Sequence, residues 1–331
     1  MQKLVEKIRS STNILLSTHR QCDGDGLGAQ LALFMGLKKM GKNVQVLNVD
    51  ATPKKYHFLN PSSHIQYFEN NKKIPAGIEL FIIFDTNDER LVEPLFSAVK
   101  PLAKNIAFLD HHPVLKKGPM PSALSWIDTS SASTGEMAFR LLKALDIPLD
   151  RDIARCIYTS ITFDTQLYRF IRNSPNSHLI AAELLGFNID PEEIHRGLFG
   201  NQTVHKMAFL ARALGQIEYH NEGTLAVLKI KDADMFHYNL EPDDSRDVVD
   251  MVMNIETVEA AVLFREDSAN EFKLSLRSKG RVEVLDIAEI MGGGGHLFSA
   301  GAFIKGDYEQ IKDTVVNEIS KKLSALPKTG S

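Results

Sequence analysis

Apolar residues arrive in short uninterrupted runs through the first half of the chain, with stretches of helical period between them. The run "NILLSTH" (13–19) predicts a buried strand. "NVQVLNVD" (43–50), "IQYFE" (65–69), "ELFIIFD" (79–85), "NIAFLDHH" (105–112) and "ALSWID" (123–128) repeat the pattern. Between the first two, "LGAQLALFMGLKKMG" (27–41) has the spacing of a helix and closes on Gly41, a plausible C-cap. "STGEMAFRLLKALDI" starts at a cap on Ser133 or Thr134 and continues as a helix. Strands apolar on both faces, alternating with helices, predict an α/β fold with a mostly parallel sheet flanked by helices.

From Asp150 the pattern turns helical: "RDIARCIYTSITFDT", "SHLIAAELLGF" and "PEEIHRGLFG". "QTVHKMAFLARALG" (202–215) reads as a connecting helix. A second α/β segment follows, with strands in "TLAVLKI", "EAAVLFRE" and "EFKLSLRS", helices in "SRDVVDMVMNI" and "VLDIAEIM", and a closing helix "YEQIKDTVVNEISKKLSAL". The expected domains are 1–201, a connecting helix over 202–216, a smaller α/β domain over 217–326 and a disordered tail over 327–331.

Composition narrows the class of partner. The 331 residues, 44% hydrophobic and 24% charged, suit a soluble globular protein of two domains. Thirty-eight basic residues against 42 acidic ones give a net charge of -4. A protein that tracks long nucleic acid usually carries a basic surplus, so a short anion held by a few arginines and by metal ions fits better. No apolar run reaches the roughly 18 residues that span a bilayer, and the N-terminus lacks the apolar region and cleavage site of a secretory signal. The two cysteines, Cys22 and Cys156, form no CxxC pair, which points to the reducing cytoplasm.

The chemistry gathers where strands end. The first strand leads to His19, with Asp23 and Asp25 in the following turn. "LFIIF" ends in Asp85, "IAFL" ends in Asp110, His111 and His112, and Asp164 follows "RCIYTSITF". In an open parallel sheet the carboxyl ends of the strands face one crevice, so these groups would converge. Singly they have ordinary readings: a "DG" turn for Asp23 and Asp25, a helix N-cap for Asp85, a solvated helix residue for Asp164. Together, clustered carboxylates need a counter-charge. A set of carboxylate oxygens with one or two imidazoles and no thiolate suits Mn²⁺, with Mg²⁺, Fe²⁺ or Co²⁺ as alternatives, and argues against structural zinc. Two such ions can activate a water and clamp a phosphoryl oxygen.

"HRQCDGDGLG", "FDTND", "LDHHP" and "YTSITFDT" resemble, in order, the four motifs of the DHH phosphoesterase superfamily. "GGGGHLFSAG" (292–301) resembles the glycine-rich signature of the DHH-associated C-terminal domain. The layout is most similar to NrnA-type nanoRNases, which also act as pAp phosphatases. The resemblance implies that His19, Asp23 and Asp85 hold one metal ion, and that Asp25, Asp85, His111 and Asp164 hold a second, with Asp85 bridging. It implies that Asp110 orients His111 and that His112 faces the substrate phosphate. Gly26, where alanine is frequent, would be harmless in a turn. Gln166 and Ser299 also depart from the commonest pattern.

In the second segment, the glycines before His296 let backbone N–H groups approach an anion, and the residues after them would start a helix whose N-terminus favours phosphate. Arg277 and Ser278 end a strand. Arg277 suits phosphate or a stacked base, or alternatively a surface ion pair. The expected substrate-binding set is Arg277, Ser278, Gly293, Gly294 and His296, on a second lobe across a groove from the metals. The expected activity is metal-dependent hydrolysis of oligoribonucleotides of about two to five nucleotides, and of pAp, with fixed-ended recognition limiting length. The alternatives are a phosphodiesterase for c-di-AMP or pApA, and a non-catalytic nucleotide sensor. Expected partners are short RNA and nucleotides (pAp, with pApA or pGpG), with a homodimer as one admissible assembly, and neither long nucleic acid nor a membrane.

Overall fold

Six strands pair in parallel throughout the first sheet: β1 (Asn13–Thr18), β2 (Asn43–Asn48), β3 (Ile65–Tyr67), β4 (Leu80–Phe84), β5 (Ile106–Asp110) and β6 (Trp126–Ile127). Their order is β3-β2-β1-β4-β5-β6. The chain therefore winds outward from β1 in one direction, then returns to β4 and winds the other way. The crevice at such a reversal, outside the carboxyl ends of β1 and β4, is where open α/β sheets bind ligands.

The computed structural model describes residues 1–59, 64–114, 120–200, 202–240 and 242–326; the tail expected over 327–331 lies outside the described residues. The chain divides into two compact units, Met1–Asn201 and Gln202–Ser331. Among the described residues no helix is long and apolar enough to cross a membrane.

Alternate residues of the central strands feed two cores. Ile14, Leu16, Ile82, Phe84, Ala107 and Leu109 pack against the helices Gly24–Lys39, Thr134–Ala144 and Arg151–Asp164. Leu15, Phe81, Ile83 and Phe108 face the opposite way, onto Leu95, Phe96 and Val99. Each fully buried side chain of this size contributes roughly 1.5–3 kcal/mol, which fixes the strand register and with it the strand ends. A Cβ on Gly28 would lie 2.5 Å from the Cys156 carbonyl oxygen, so the 24–39 and 151–164 helices touch backbone to backbone there. That contact holds the first turn of one helix, with Asp25, near the last turn of the other, with Asp164.

The 24–39 helix starts three residues earlier than its periodicity suggests. Asp23 is its N-cap and accepts from the Asp25 N–H (3.1 Å), so Asp25 sits in the first helical turn rather than in a loop. The glycines lower helix propensity and imitate a turn, but burial of the whole segment outweighs them.

The second unit has a mixed sheet of β7 (Glu218–His220), β8 (Leu225–Ile230), β9 (Ala260–Ser268), β10 (Glu271–Ser278), β11 (Gly294–His296) and β12 (Ser299–Lys305), in the order β11-β12-β10-β9-β8-β7. Only the β8–β9 pair is parallel. The helix Val204–Leu214 buries Phe209, Leu210 and Ala213 against this sheet and is part of the unit. The helix expected after the glycine run is absent: the residues after His296 turn directly into β12. A Cβ on Gly293 would collide with the Gly301 carbonyl oxygen, so the bare backbone serves close strand packing.

Candidate metal centre

The crevice above β1 and β4 collects acids and imidazoles from the ends of β1, β4 and β5, from the start of the 24–39 helix and from the end of the 151–164 helix. Asp85, immediately after β4, holds a left-handed backbone (φ 60°), a conformation that costs an L-residue of order 1–3 kcal/mol. It is not the helix cap that its position allows. Its amide donates to the Leu109 carbonyl (3.0 Å) and its carboxylate turns into the crevice. Gly26 is no neutral replacement in a turn: it lies in the first helical turn, where a Cβ would collide with Thr18 Oγ1 and come within 3.1 Å of Asp85 Cβ.

The two oxygens of Asp85 face two different groups. Oδ2 lies 3.5 Å from His19 Nε2, which is 3.9 Å from Asp23 Oδ2. Oδ1 lies 3.6 Å from His111 Nε2, which is 3.4 Å from both Asp25 Oδ2 and Asp164 Oδ2. In the set His19, Asp23 and Asp85, and in the set Asp25, His111 and Asp164, the ligand atoms fall within 4.8 Å of one another. The first set is the one the resemblance implies; the second lacks Asp85 from the four residues implied, with Asp85 Oδ1 3.6 Å from His111 Nε2.

Supporting contacts hold these side chains in place. The N–H groups of Thr134 and Gly135 donate to the Asp25 carboxylate (2.8 and 3.1 Å), at the N-terminus of the 134–144 helix, and Ser160 Oγ donates to it as well. Thr134 Oγ1 donates to Asp85 Oδ1 (3.1 Å). Asp110 does not orient His111. Its Oδ1 accepts from His112 Nδ1 (2.7 Å) and from the His112 N–H (3.2 Å), while Asn87 Nδ2 donates to Oδ2 (2.6 Å). His111 Nδ1 instead donates to the Ser131 carbonyl (3.3 Å). The reason is geometric: Asp110 ends β5, and its side chain folds over the next turn to reach residue 112. Ser131, Thr134 and Gly135 carry no motif signal beyond the cap expected at Ser133 or Thr134, and Ser160 stands inside "YTSITFDT" without a role assigned to it. Asn87 stands inside "FDTND", a motif in which only Asp85 is assigned a role.

Charge follows the geometry. Burial alone would depress His19, yet Asp23 and Asp85 raise it to about 10. Burial and the neighbouring His112 push His111 down to about 4, which leaves it neutral. His112 is raised to about 9 against its burial, by Asp110 and Asp85. Burial and then Asp85 and Asp23 raise Asp164 to about 7; burial, Asp85 and Asp164 likewise raise Asp25. Acids that must take up protons to coexist, and a neutral imidazole whose Nε2 turns toward three carboxylates, form a donor set suited to hard or borderline divalent cations.

Residues 13–161 match the DHH family N-terminal domain, and residues 222–325 match the DHHA1 domain. The chain is a DHH–DHHA1 protein. A relative from Thermus thermophilus named bifunctional oligoribonuclease and PAP phosphatase NrnA is 28% identical over 314 residues, covering 94% of this chain and 90% of its own length. Among solved structures, an exopolyphosphatase-related protein from Bacteroides fragilis superposes with a TM-score of 0.85 at 22% identity, covering 98% of each chain. RecJ from Thermus thermophilus in complex with Mn²⁺ gives a TM-score of 0.57 at 17% identity, over 99% of this chain and 55% of RecJ. These two likenesses carry the fold.

In the DHHA1 domain the expected binding residues occupy one corner of the sheet. Arg277 on β10, Ser299 on β12 and His296 on β11 stand opposite one another in register. Arg277 Nε lies 3.5 Å from Asp250 Oδ1, the ion-pair alternative for that residue. Ser278 Oγ accepts from the N–H groups of Gly280 and Val282 (3.2 and 3.3 Å) and so shapes the turn after β10. Gly293 and Gly294 lie at the start of the β11–β12 hairpin.

Proposed function

We propose that this protein hydrolyses phosphodiester bonds in short oligoribonucleotides and the phosphomonoester of pAp, releasing mononucleotides or phosphate, with two divalent cations held by the DHH domain. The observation that carries the reading is the division of the Asp85 carboxylate between two ligand groups. His19 and Asp23 with Asp85 would hold one ion, and Asp25, His111 and Asp164 with Asp85 the other. Mn²⁺ is the preferred ion, as the donor set of carboxylates and imidazoles favours it over Mg²⁺. A bound pair would supply an activated water and neutralise phosphoryl charge.

The chain's own groups do the rest. His112, held by Asp110 through Nδ1, keeps a proton at neutral pH and can pass one to the leaving oxygen or hold a phosphate oxygen. The Asp110–Asn87 contact keeps that imidazole from swinging. Arg277, Ser278, Gly293, Gly294 and His296 would bind nucleotide, with Arg277 exchanging Asp250 for phosphate. The relative's name supports nanoRNA and pAp as substrates, and the buried, reduced cysteines suit the cytoplasm.

The test is a panel of labelled RNA dimers to pentamers, pAp, pApA, pGpG and c-di-AMP at equal concentration with Mn²⁺. Turnover of short RNA and pAp is expected to exceed that of c-di-AMP. Preference for c-di-AMP would replace this reading with a cyclic-dinucleotide phosphodiesterase. Binding without turnover of any substrate would make the protein a sensor.

A further inference from the structure

The segment 131–135 supplies more contacts to the acid cluster than its sequence suggests. The Ser131 carbonyl faces His111 Nδ1, Thr134 Oγ1 reaches Asp85, and two amides hold Asp25. Yet residues 131–133 lie outside any strand or helix. Their position is set by two side chains on the helix that follows. Glu136, 1% exposed, accepts from the Ala132 N–H through Oε2 (3.2 Å), and Ser177 Oγ donates to Oε1. Its own N–H donates to Ser133 Oγ (3.2 Å). One turn on, Arg140 donates to Asp128 Oδ2 (2.7 Å) and to Ser131 Oγ, and its guanidinium lies over the Trp126 ring at 4.9 Å.

Among the described residues the side-chain bonds of Glu136 are to an amide and a hydroxyl, both neutral. A buried carboxylate served only by neutral donors is a costly way to fill space, because a charge without a counter-ion loses its hydration. What it supplies is two acceptors of fixed direction, which bring together the 131–133 backbone and the start of the 176–185 helix.

We propose that Glu136 and Arg140 are positioning residues for the metal site: they brace 131–135 so that His111 keeps its proton on Nδ1 and turns Nε2 to the cation, and so that Asp25 keeps its two amide donors. The proposal rests on the metal reading above. Groups that orient metal ligands typically carry about 10- to 100-fold in metal affinity or activity.

The experiment is calorimetric Mn²⁺ titration of the full-length chain, with ¹⁵N spectra of the His111 imidazole in the metal-free protein. Glu136→Ala is expected to weaken Mn²⁺ binding by about 10- to 100-fold and to disturb the Nδ1–H signature. Glu136→Gln keeps an acceptor for Ala132 and can donate to Ser177 Oγ, so it is expected to bind within about threefold of the parent. A Glu136→Ala protein that melts earlier but binds Mn²⁺ like the parent, with His111 unchanged, would overturn the proposal. If Glu136→Ala fails to fold, Ser177→Ala removes one hydroxyl and is expected to lose about three- to tenfold in affinity; parity with the parent overturns the proposal there too. A parent that binds no Mn²⁺ would sink the metal reading alone, and the imidazole spectra of the variants would still decide the brace.

Discussion

The two domains answer differently to the same kind of sequence signal. In the DHH domain, polar residues at the ends of apolar runs converge on one crevice. In the DHHA1 domain, a glycine run before a histidine folds into an antiparallel hairpin, not into a loop that opens a helix. The difference lies in sheet topology. Parallel strands all end on one edge, so side chains at their carboxyl ends meet whatever the lengths between them. In a mixed sheet a strand's neighbour and direction are not set by the pattern alone, and glycine serves an anion-binding loop or a tight backbone contact equally well.

The sharpest way to break this contrast is to remove the residue on which the DHH crevice depends. Asp85→Ala takes from both groups the carboxylate proposed to bridge them, and activity is expected to fall by more than about 10³-fold together with Mn²⁺ binding. Retention of either would dissolve the two-group site. Asp110→Asn separates orientation from ligation. Because Asp110 holds His112 and not His111, kcat is expected to drop about 10- to 100-fold while Mn²⁺ affinity stays near that of the parent. A loss of affinity instead would restore Asp110 to His111.

Arg277→Ala probes the other domain. The proposed role of Arg277 is a substrate contact, so KM for RNA dimers is expected to rise about tenfold with kcat little changed. An unchanged KM would leave Arg277 as the partner of Asp250 alone.

Where the sequence succeeded and failed follows from the same physics. The strands of the first sheet were legible because burial on both faces writes unbroken apolar runs. The convergence of His19, Asp23, Asp25, Asp85, His111 and Asp164 on one crevice was legible because each stands next to such a run or in a motif. The partner of Asp110 was not, since residues 111 and 112 are both histidines and only the turn of the backbone decides which one the carboxylate reaches. Nor were the Thr134 and Gly135 amides, because a backbone donor leaves no mark on the residue that supplies it. Gly26 was misjudged because its neighbour in space, Thr18, lies on another element.

The smallest effect lies within the DHH crevice and is read by pH. Metal-free Asp164 holds its proton up to about 7, through burial and the charges of Asp85 and Asp23, and Asp25 is raised in the same direction. A cation must displace that proton, so affinity in the group of Asp25, His111 and Asp164 rises with pH through about 7; His19 in the other group, raised to about 10, also holds a proton across this range and adds to the rise. His111, held down near 4, stays neutral across this range and does not compete. For the Asp164 proton alone, Mn²⁺ affinity is expected to fall about threefold between roughly pH 7.5 and 6.5, and by more where His19 or Asp25 also gives one up, with proton release visible as a buffer-dependent heat in calorimetry. A flat metal affinity over that interval would mean that Asp25 and Asp164 enter binding already ionised, and that some cation other than the titrated one balances them.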